Sequence, residues 1–288
     1  MSNYQIITDS CCDFTEAMYK EQDVIYAPLS VLYKGVNHDN FTDDASLKEL
    51  YNGLAAGETA STSAANPETW VRVIKPSLDA GKDVLVMAFS SGLSTTYQSA
   101  VIAAEELREV YPDRKINVVD TLCAALGQGL LVWYACRKRN EGLSLDELTE
   151  WVENNKLHLC HWFTVDDLMY LKRGGRVSAT TALVGTMLNI KPVLHVDDEG
   201  HLINVAKTRG RKASLDALAK KLGELGDGYD NSTVFISHGN CLEDAEYLAR
   251  VVKEKYGVKE VVIGYVGAVI GAHAGPGVVA FFFMGSKR

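Results

Sequence analysis

Along the chain, short apolar runs rich in β-branched residues alternate with stretches in which apolar residues recur every three or four positions. The first kind reads as buried strand and the second as helix with one face on a core. In the first half the strands expected are Gln5–Thr8, Val24–Leu29, Val84–Phe89 and Ile116–Val119. The helices expected there are Leu47–Ala55, Pro67–Ala80, Thr96–Tyr111 and Ala124–Asn140. Strand and helix in alternation build a largely parallel sheet covered by helices.

Ser144 and Glu147 have capping-box spacing and open a helix expected over Leu145–Asn154. The chain then reads HLCHWFTVDDLMYLKRGGRVS, a change of pattern that places a domain boundary there and divides the chain into residues 1–157 and 158–288. Beyond it, Val193–Asp197 and Leu202–Val205 flank the turn Asp198-Glu199-Gly200, a hairpin signal that makes the second sheet partly antiparallel. Helices over Ala213–Leu225 and Leu242–Tyr256, the latter stopped by Gly257, flank a strand at Val234–Ser237. The fold class is therefore α/β in two domains, an N-terminal α/β/α domain with a largely parallel sheet and a C-terminal α/β domain with a mixed sheet.

Residues 261–285 carry no Asp, Glu, Lys or Arg and are long enough to span a bilayer. Against a membrane anchor, His273-Ala274-Gly275-Pro276-Gly277 sits in the middle, and a proline between glycines breaks a helix whose backbone has only itself to bond to. The segment reads instead as two buried strands joined by a functional turn. The start MSNYQIITDS has neither the basic nor the apolar region of a secretory signal, so the expected compartment is the cytoplasm. The six cysteines form no CxxC pair and fit reduced, mostly buried thiols. A formal charge of -8 opposes general attraction to nucleic acid or an anionic membrane, so any anion site must be local.

Four segments concentrate chemistry. DVLVMAFSSGLSTTYQSA is a strand, a Ser/Gly-rich loop and a helix opening near Ser94 or Thr95, a junction whose backbone N–H groups and helix dipole suit an anion. It has no P-loop lysine, which argues against a nucleotide phosphate, and Ser94 read alone is an N-cap. Thr62-Ser63-Ala64-Ala65-Asn66-Pro67 sets hydroxyls before a helix start. His273 lies in a small-residue turn between very apolar runs, read as a structural residue or as a place where a ligand approaches the backbone. Lys172, Arg173 and Arg176 around Gly174-Gly175, with Lys207, Arg209, Arg211 and Lys212, form a basic cluster, read as a solvated face or a docking patch. Acidic residues show no metal-ligand spacing, so neither a metal nor a cofactor is implied.

In order, ITDSCCDF, TS at Thr62-Ser63, SSGLSTTYQSA, VVDT, LMYLKRGGRVS, LNIKPVLHVDDEG and GAHAGPGVV resemble the motif series of the DegV family, from residue 4 to residue 284. That resemblance implies a carrier that buries a long-chain fatty acid in a pocket at or near the domain interface. It further implies that the carrier, itself non-catalytic, offers the carboxylate to a partner fatty acid kinase, giving acyl phosphate for phospholipid synthesis. The family's carboxylate-binding hydroxyls match Thr62 and Ser94, with Thr95 beside them, and its glycine-flanked histidine matches His273. Arg173, Arg176 and Arg209 fall to partner docking. The chain departs from the family where Thr95 replaces a glycine in the serine loop and where Ala64-Ala65-Asn66 follows Thr62-Ser63.

Hydroxyl donors hold a carboxylate while leaving it nucleophilic, and burying the ~14 methylenes of a palmitoyl-like chain is worth roughly 11 kcal/mol before binding costs. Two other classes stay open at this point. One is a serine hydrolase with Ser94 as nucleophile, His273 as base and Asp9 or Asp120 as orienter, although Gly92-Leu93-Ser94-Thr95-Thr96 is not a nucleophile elbow. The other is a scaffold whose pocket no longer serves.

Overall fold

A computed structural model describes residues 4–39, 41, 43–177 and 189–288; Ser178, the last residue of the basic motif, lies outside them. The N-terminal half is built on a four-stranded sheet in the order β2-β1-β6-β7, comprising β1 Tyr4–Asp9, β2 Val24–Ala27, β6 Asp83–Ala88 and β7 Ile116–Asp120. All its pairings are parallel, as the alternation of strand and helix requires. The strand expected over Val24–Leu29 stops at Ala27, because Pro28 has no N–H to extend the ladder.

The chain then enters a small antiparallel sheet that the reading of the sequence did not foresee: β3 Ser30–Tyr33, β4 Val36–His38 and β5 Ala60–Ser63, in the order β4-β3-β5. Its strands are three or four residues long and mostly half exposed, too short to show a period. Helices α1 Glu16–Glu21, α2 Asp44–Ala55 and α3 Pro67–Asp79 are capped by Thr15, Asp43 and Asn66, whose side chains accept the N–H of Met18, Ser46 and Thr69. Helix α4 is Thr96–Val110, α5 Ala125–Asn140 and α6 Leu145–Asn155, the last with its capping box closed.

The C-terminal half is a six-stranded mixed sheet in the order β10-β9-β8-β13-β11-β12. It consists of β8 Leu159–Thr164, β9 Ile190–Val196, β10 Leu202–Arg209, β11 Thr233–His238, β12 Glu260–Tyr265 and β13 Val279–Met284. The hairpin β9-β10 forms as expected, with a bulge near Asn204 and Ala206, and every pairing except β11-β12 is antiparallel. The short helix α7 spans Met169–Arg173, and α8 Arg211–Leu225 and α9 Leu242–Tyr256 pack on one face of this sheet. Gly257 ends α9 at φ 69°.

Residues 261–285 correct the expectation of two buried strands and a turn. Between half-buried β12 and fully buried β13 the chain forms helix α10, Ala268–Ala274, and His273 sits in its last turn. Gly275 at φ 75° stops the helix, so the glycines turn the chain where the sequence suggested, but a helix that includes His273 precedes them. Among the described residues no helix is long and apolar enough to cross a membrane. Helix α5 follows the parallel sheet in sequence yet also packs on the free face of the mixed sheet, and a single apolar core runs from one sheet to the other through it.

Candidate functional site

A cavity of about 430 Å³ opens between the two sheets. Its floor is the face of the mixed sheet carrying Phe163, Ala280 and Phe282. Its other walls are the loop after β6 (Ser91–Thr95), the N-terminal turn of α5 at Ala124 and Ala125, and Val266, Val269 and Ile270 leading into and along α10. The lining is mostly apolar; Thr62, Ser63, Ser94, Thr95, Arg176 and His273 converge at one end, Ser91 lies on the loop wall, and at the other end His161 lies against Phe282.

The members of the polar end come from four separate segments, Ser94 and Thr95 sharing one. Thr62 lies on β5, and its Oγ1 is 2.7 Å from His273 Nε2. The His273 imidazole sits so close to Gly174 that any Cβ there would collide with Nδ1, which makes glycine obligatory at 174 for this approach. Arg176 donates through Nε to Leu93 O at 3.2 Å and through its guanidinium to Gly174 O. Among the described residues no carboxylate pairs with Arg176. Burial, and then the charge of Arg176, lower the His273 pKa to about 4, so the ring is neutral at pH 7.

The serine loop is braced on both sides. Asp120 Oδ1 accepts the N–H of Ser91 at 3.2 Å and of Leu122 at 3.1 Å, and Asp9 Oδ2 accepts that of Phe89 at 2.7 Å. Ser90 Oγ donates to Gly200 O at 3.0 Å, pinning the loop to the β9-β10 hairpin. Burial raises the Asp9 carboxyl to about 7 despite its two backbone donors. Ser94 Oγ lies 2.8 Å from Thr96 Oγ1 and accepts Thr96 N–H at 3.2 Å, so it braces the start of α4 while facing the cavity. Thr95 occupies the cap position without a side-chain cap bond; it is exposed and lines the cavity mouth.

This arrangement is not a hydrolase triad. His273 meets Thr62 rather than Ser94, and both Asp9 and Asp120 are engaged with backbone N–H groups of the serine loop and its neighbours. Six free thiols, each raised by burial, offer no ready nucleophile instead. No group of three or more His, Cys, Asp or Glu among the described residues is placed to hold a metal.

The profile of the DegV family, described as an uncharacterised protein family, matches residues 3–286. The chain belongs to the DegV family. A DegV domain-containing protein of Clostridium perfringens is 46% identical over 289 residues, covering 100% of this chain and 99% of its own. Among solved structures, a DegV family protein of Thermus thermophilus, reported for fatty acid binding, superposes with TM-score 0.87 at 30% identity, covering 98% of this chain and 99% of its own. A stearic acid-binding protein of Eubacterium ventriosum superposes with TM-score 0.87 at 25% identity, covering 98% of each chain.

Of the DegV motif residues singled out in the sequence, Thr62, Ser94, Thr95 and His273 all line one end of the cavity, although β5, the serine loop and α10 are distant in sequence. The basic cluster does not stay together. Arg176 belongs to the cavity wall rather than to an outer docking face; Arg173 stacks on Tyr170, 4.5 Å from ring centroid, beside a smaller cavity; Arg209 is exposed at the end of β10 and lines neither. His161 went unnoticed in the sequence, where its only signal was a histidine alternating with bulky apolar residues in HLCHWF.

Proposed function

We propose that this protein is a carrier that buries one long-chain fatty acid in the cavity, with its carboxylate among Thr62, Ser94, Thr95 and His273. The observation that carries this reading is the distribution of polarity: a mostly apolar cavity at one end of which Thr62, Ser94 and Thr95 gather with His273 and Arg176. Solved DegV relatives that bind fatty acids support it. A neutral His273, bonded to the Thr62 hydroxyl and beside the cationic Arg176, offers hydrogen bonds and charge to a carboxylate without a tight bidentate clamp. The lipid is thus held mainly by its chain, at roughly 0.8 kcal/mol for each methylene taken from water.

The carboxylate is then offered to a partner fatty acid kinase for conversion to acyl phosphate, and the carrier itself does no chemistry. What favours presentation is that Thr62, His273 and Arg176 also wall a second cavity of about 300 Å³ that reaches exposed residues such as Glu58 and Thr59. A head group held there is reachable from outside while its chain stays covered. In this reading Arg176 faces the head group and Arg173 and Arg209 remain for docking. Residues 1–157 and 158–288 form two domains with the lipid between them, and the six free thiols suit the cytoplasm.

The test is denaturing extraction of purified protein and mass spectrometry of the released lipid, for wild type and a Thr62→Ala/Ser94→Ala double variant. Near one fatty acid per chain is expected for wild type. Loss of hydrogen bonds to a charged group, at about 1.5–3 kcal/mol each, should weaken the variant tenfold or more. A wild-type protein that is empty and takes up no added fatty acid overturns the reading.

A further inference from the structure

The end of the cavity away from the polar cluster is built differently, and its parts fix where an acyl chain must stop. Strand register orders the floor. Ala280 pairs with Phe163, and two residues further along the same strands Phe282 pairs with His161. In the neighbouring strands Val196 follows His195, the partner of Trp162, and pairs with Leu202. Val196, His161 and Phe282 therefore form one row across the sheet with Leu202 at its edge, and all four face the cavity. Met284 and Leu159, the next pair along, do not line it. From Val278 to Phe282 the floor runs about 13 Å at ~3.3 Å per residue.

His161 is an unusual residue to meet at an apolar end, yet it has no polar capacity left. Its Nε2 accepts Ala124 N–H at 3.2 Å, which makes Nδ1 the protonated nitrogen, donating to Leu159 O at 3.1 Å. Burial drives its pKa well below the ordinary histidine value, so the ring stays neutral. The two bonds lock the ring plane, and the ring meets Phe282 edge-on with centroids 5.3 Å apart. Above both rings lies Gly127 of α5. A Cβ at that position would collide with His161 Nε2 and come within 2.6 Å of Phe282 Cδ1. Gly127 therefore leaves the room that the two rings occupy at this end of the cavity.

We infer that the His161–Phe282 pair, recessed under Gly127, is the stop against which the terminal methyl of the acyl chain rests, and so sets the chain length this protein accepts. The inference rests on the fatty-acid reading of the same cavity. A ring moved forward by the width of a methyl group removes room for about one or two methylenes, and each methylene left unburied weakens binding about fourfold.

The experiment is competition among straight-chain saturated fatty acids of 12, 14, 16 and 18 carbons for delipidated protein, comparing wild type with Gly127→Ala and Phe282→Leu. Gly127→Ala should move the preferred length down by about two carbons and weaken the wild-type favourite by fourfold or more. Phe282→Leu, which takes volume from the stop, should move the preference up. Shifts of opposite sign support the stop, and an unchanged profile in Phe282→Leu overturns it even if Gly127→Ala fails to fold. A wild type that binds none of the four overturns the fatty-acid reading itself, whereas wild-type binding with unshifted variants overturns only the stop.

Discussion

The two faces of the mixed sheet are made by the same strands and do opposite work. On one face Trp162, Phe281 and Phe283 pack with Val193, Val234 and Ile236 beneath α8 and α9, a filled core. On the other, their sequence neighbours His161, Phe163, Ala280 and Phe282 look into the cavity. Both faces are almost fully buried, so burial alone does not separate them. What differs is what lies opposite. The filled face meets two amphipathic helices whose side chains interdigitate with it. The hollow face meets a loop, a seven-residue helix and the glycine- and alanine-rich start of α5, elements too short or too small in side chain to fill the gap. A binding cavity arises here from a shortage of covering side chains.

The comparison breaks most visibly under truncation of one ring on each face. Phe281→Ala removes a fully buried ring from a packed core and should cost about 3–5 kcal/mol in a denaturant melt. Phe163→Ala, in delipidated protein, should cost about half as much, because that ring already faces a void and has fewer contacts to lose. Equal losses would show that the hollow face is as tightly packed as the filled one.

That distinction marks the limit of what the sequence shows. Alternation in HLCHWFT and VAFFFM is visible once both faces are allowed to be apolar, but a period of two does not say which face is filled. The parallel sheet, the β9-β10 hairpin and most helices were legible, because strand-helix alternation, Asp198-Glu199-Gly200 and the caps at Asn66 and Ser144 act locally. The sheet β4-β3-β5 was not, since its strands are too short to carry a pattern and, although β3-β4 is a local hairpin, β3-β5 joins segments about thirty residues apart. At the site, motif order picked out Thr62, Ser94, Thr95 and His273, which the fold brings to one end of the cavity. Arg176 was grouped with Arg173 and Arg209 because charge is what a sequence displays. Only the fold shows that one of the three turns inward.

A second prediction sharpens the contrast at the polar end of the hollow face. The unfolded His273 imidazole takes up a proton near pH 6.5 and the folded one only near 4. Across that window the unfolded state binds more protons, so the contribution of His273 to stability falls as pH drops, by about 3 kcal/mol in all. Asp9 opposes it: its folded pKa of about 7 lies above the ordinary 3.8, so its contribution falls as pH rises through the same range. The net melt therefore hides both, and the quantity to measure is the stability difference between wild type and His273→Gln at pH 6.5 and pH 4. A difference that does not change with pH would show that the imidazole is solvated. Arg176→Gln should raise the His273 pKa in an NMR titration, since the Arg176 charge is its second cause.

The smallest expected effect separates the inward arginine from the outward one. Arg209 is exposed at the end of edge strand β10, while Arg176 lines the cavity. Arg209→Ala should change stability by no more than about 0.5 kcal/mol and leave lipid retention unaltered, because an exposed side chain away from caps and core has little to lose. Arg176→Gln removes a cation that no described carboxylate neutralises, and so should lower lipid retention, while the loss of its bonds to Leu93 O and Gly174 O should cost the empty fold only about 1 kcal/mol. Thermal melts of delipidated protein and extracted lipid per chain give the two readouts separately. If Arg209→Ala loses lipid as readily as Arg176→Gln, the charge that matters to the head group is a diffuse surface field, and the inward turn of Arg176 has no special consequence.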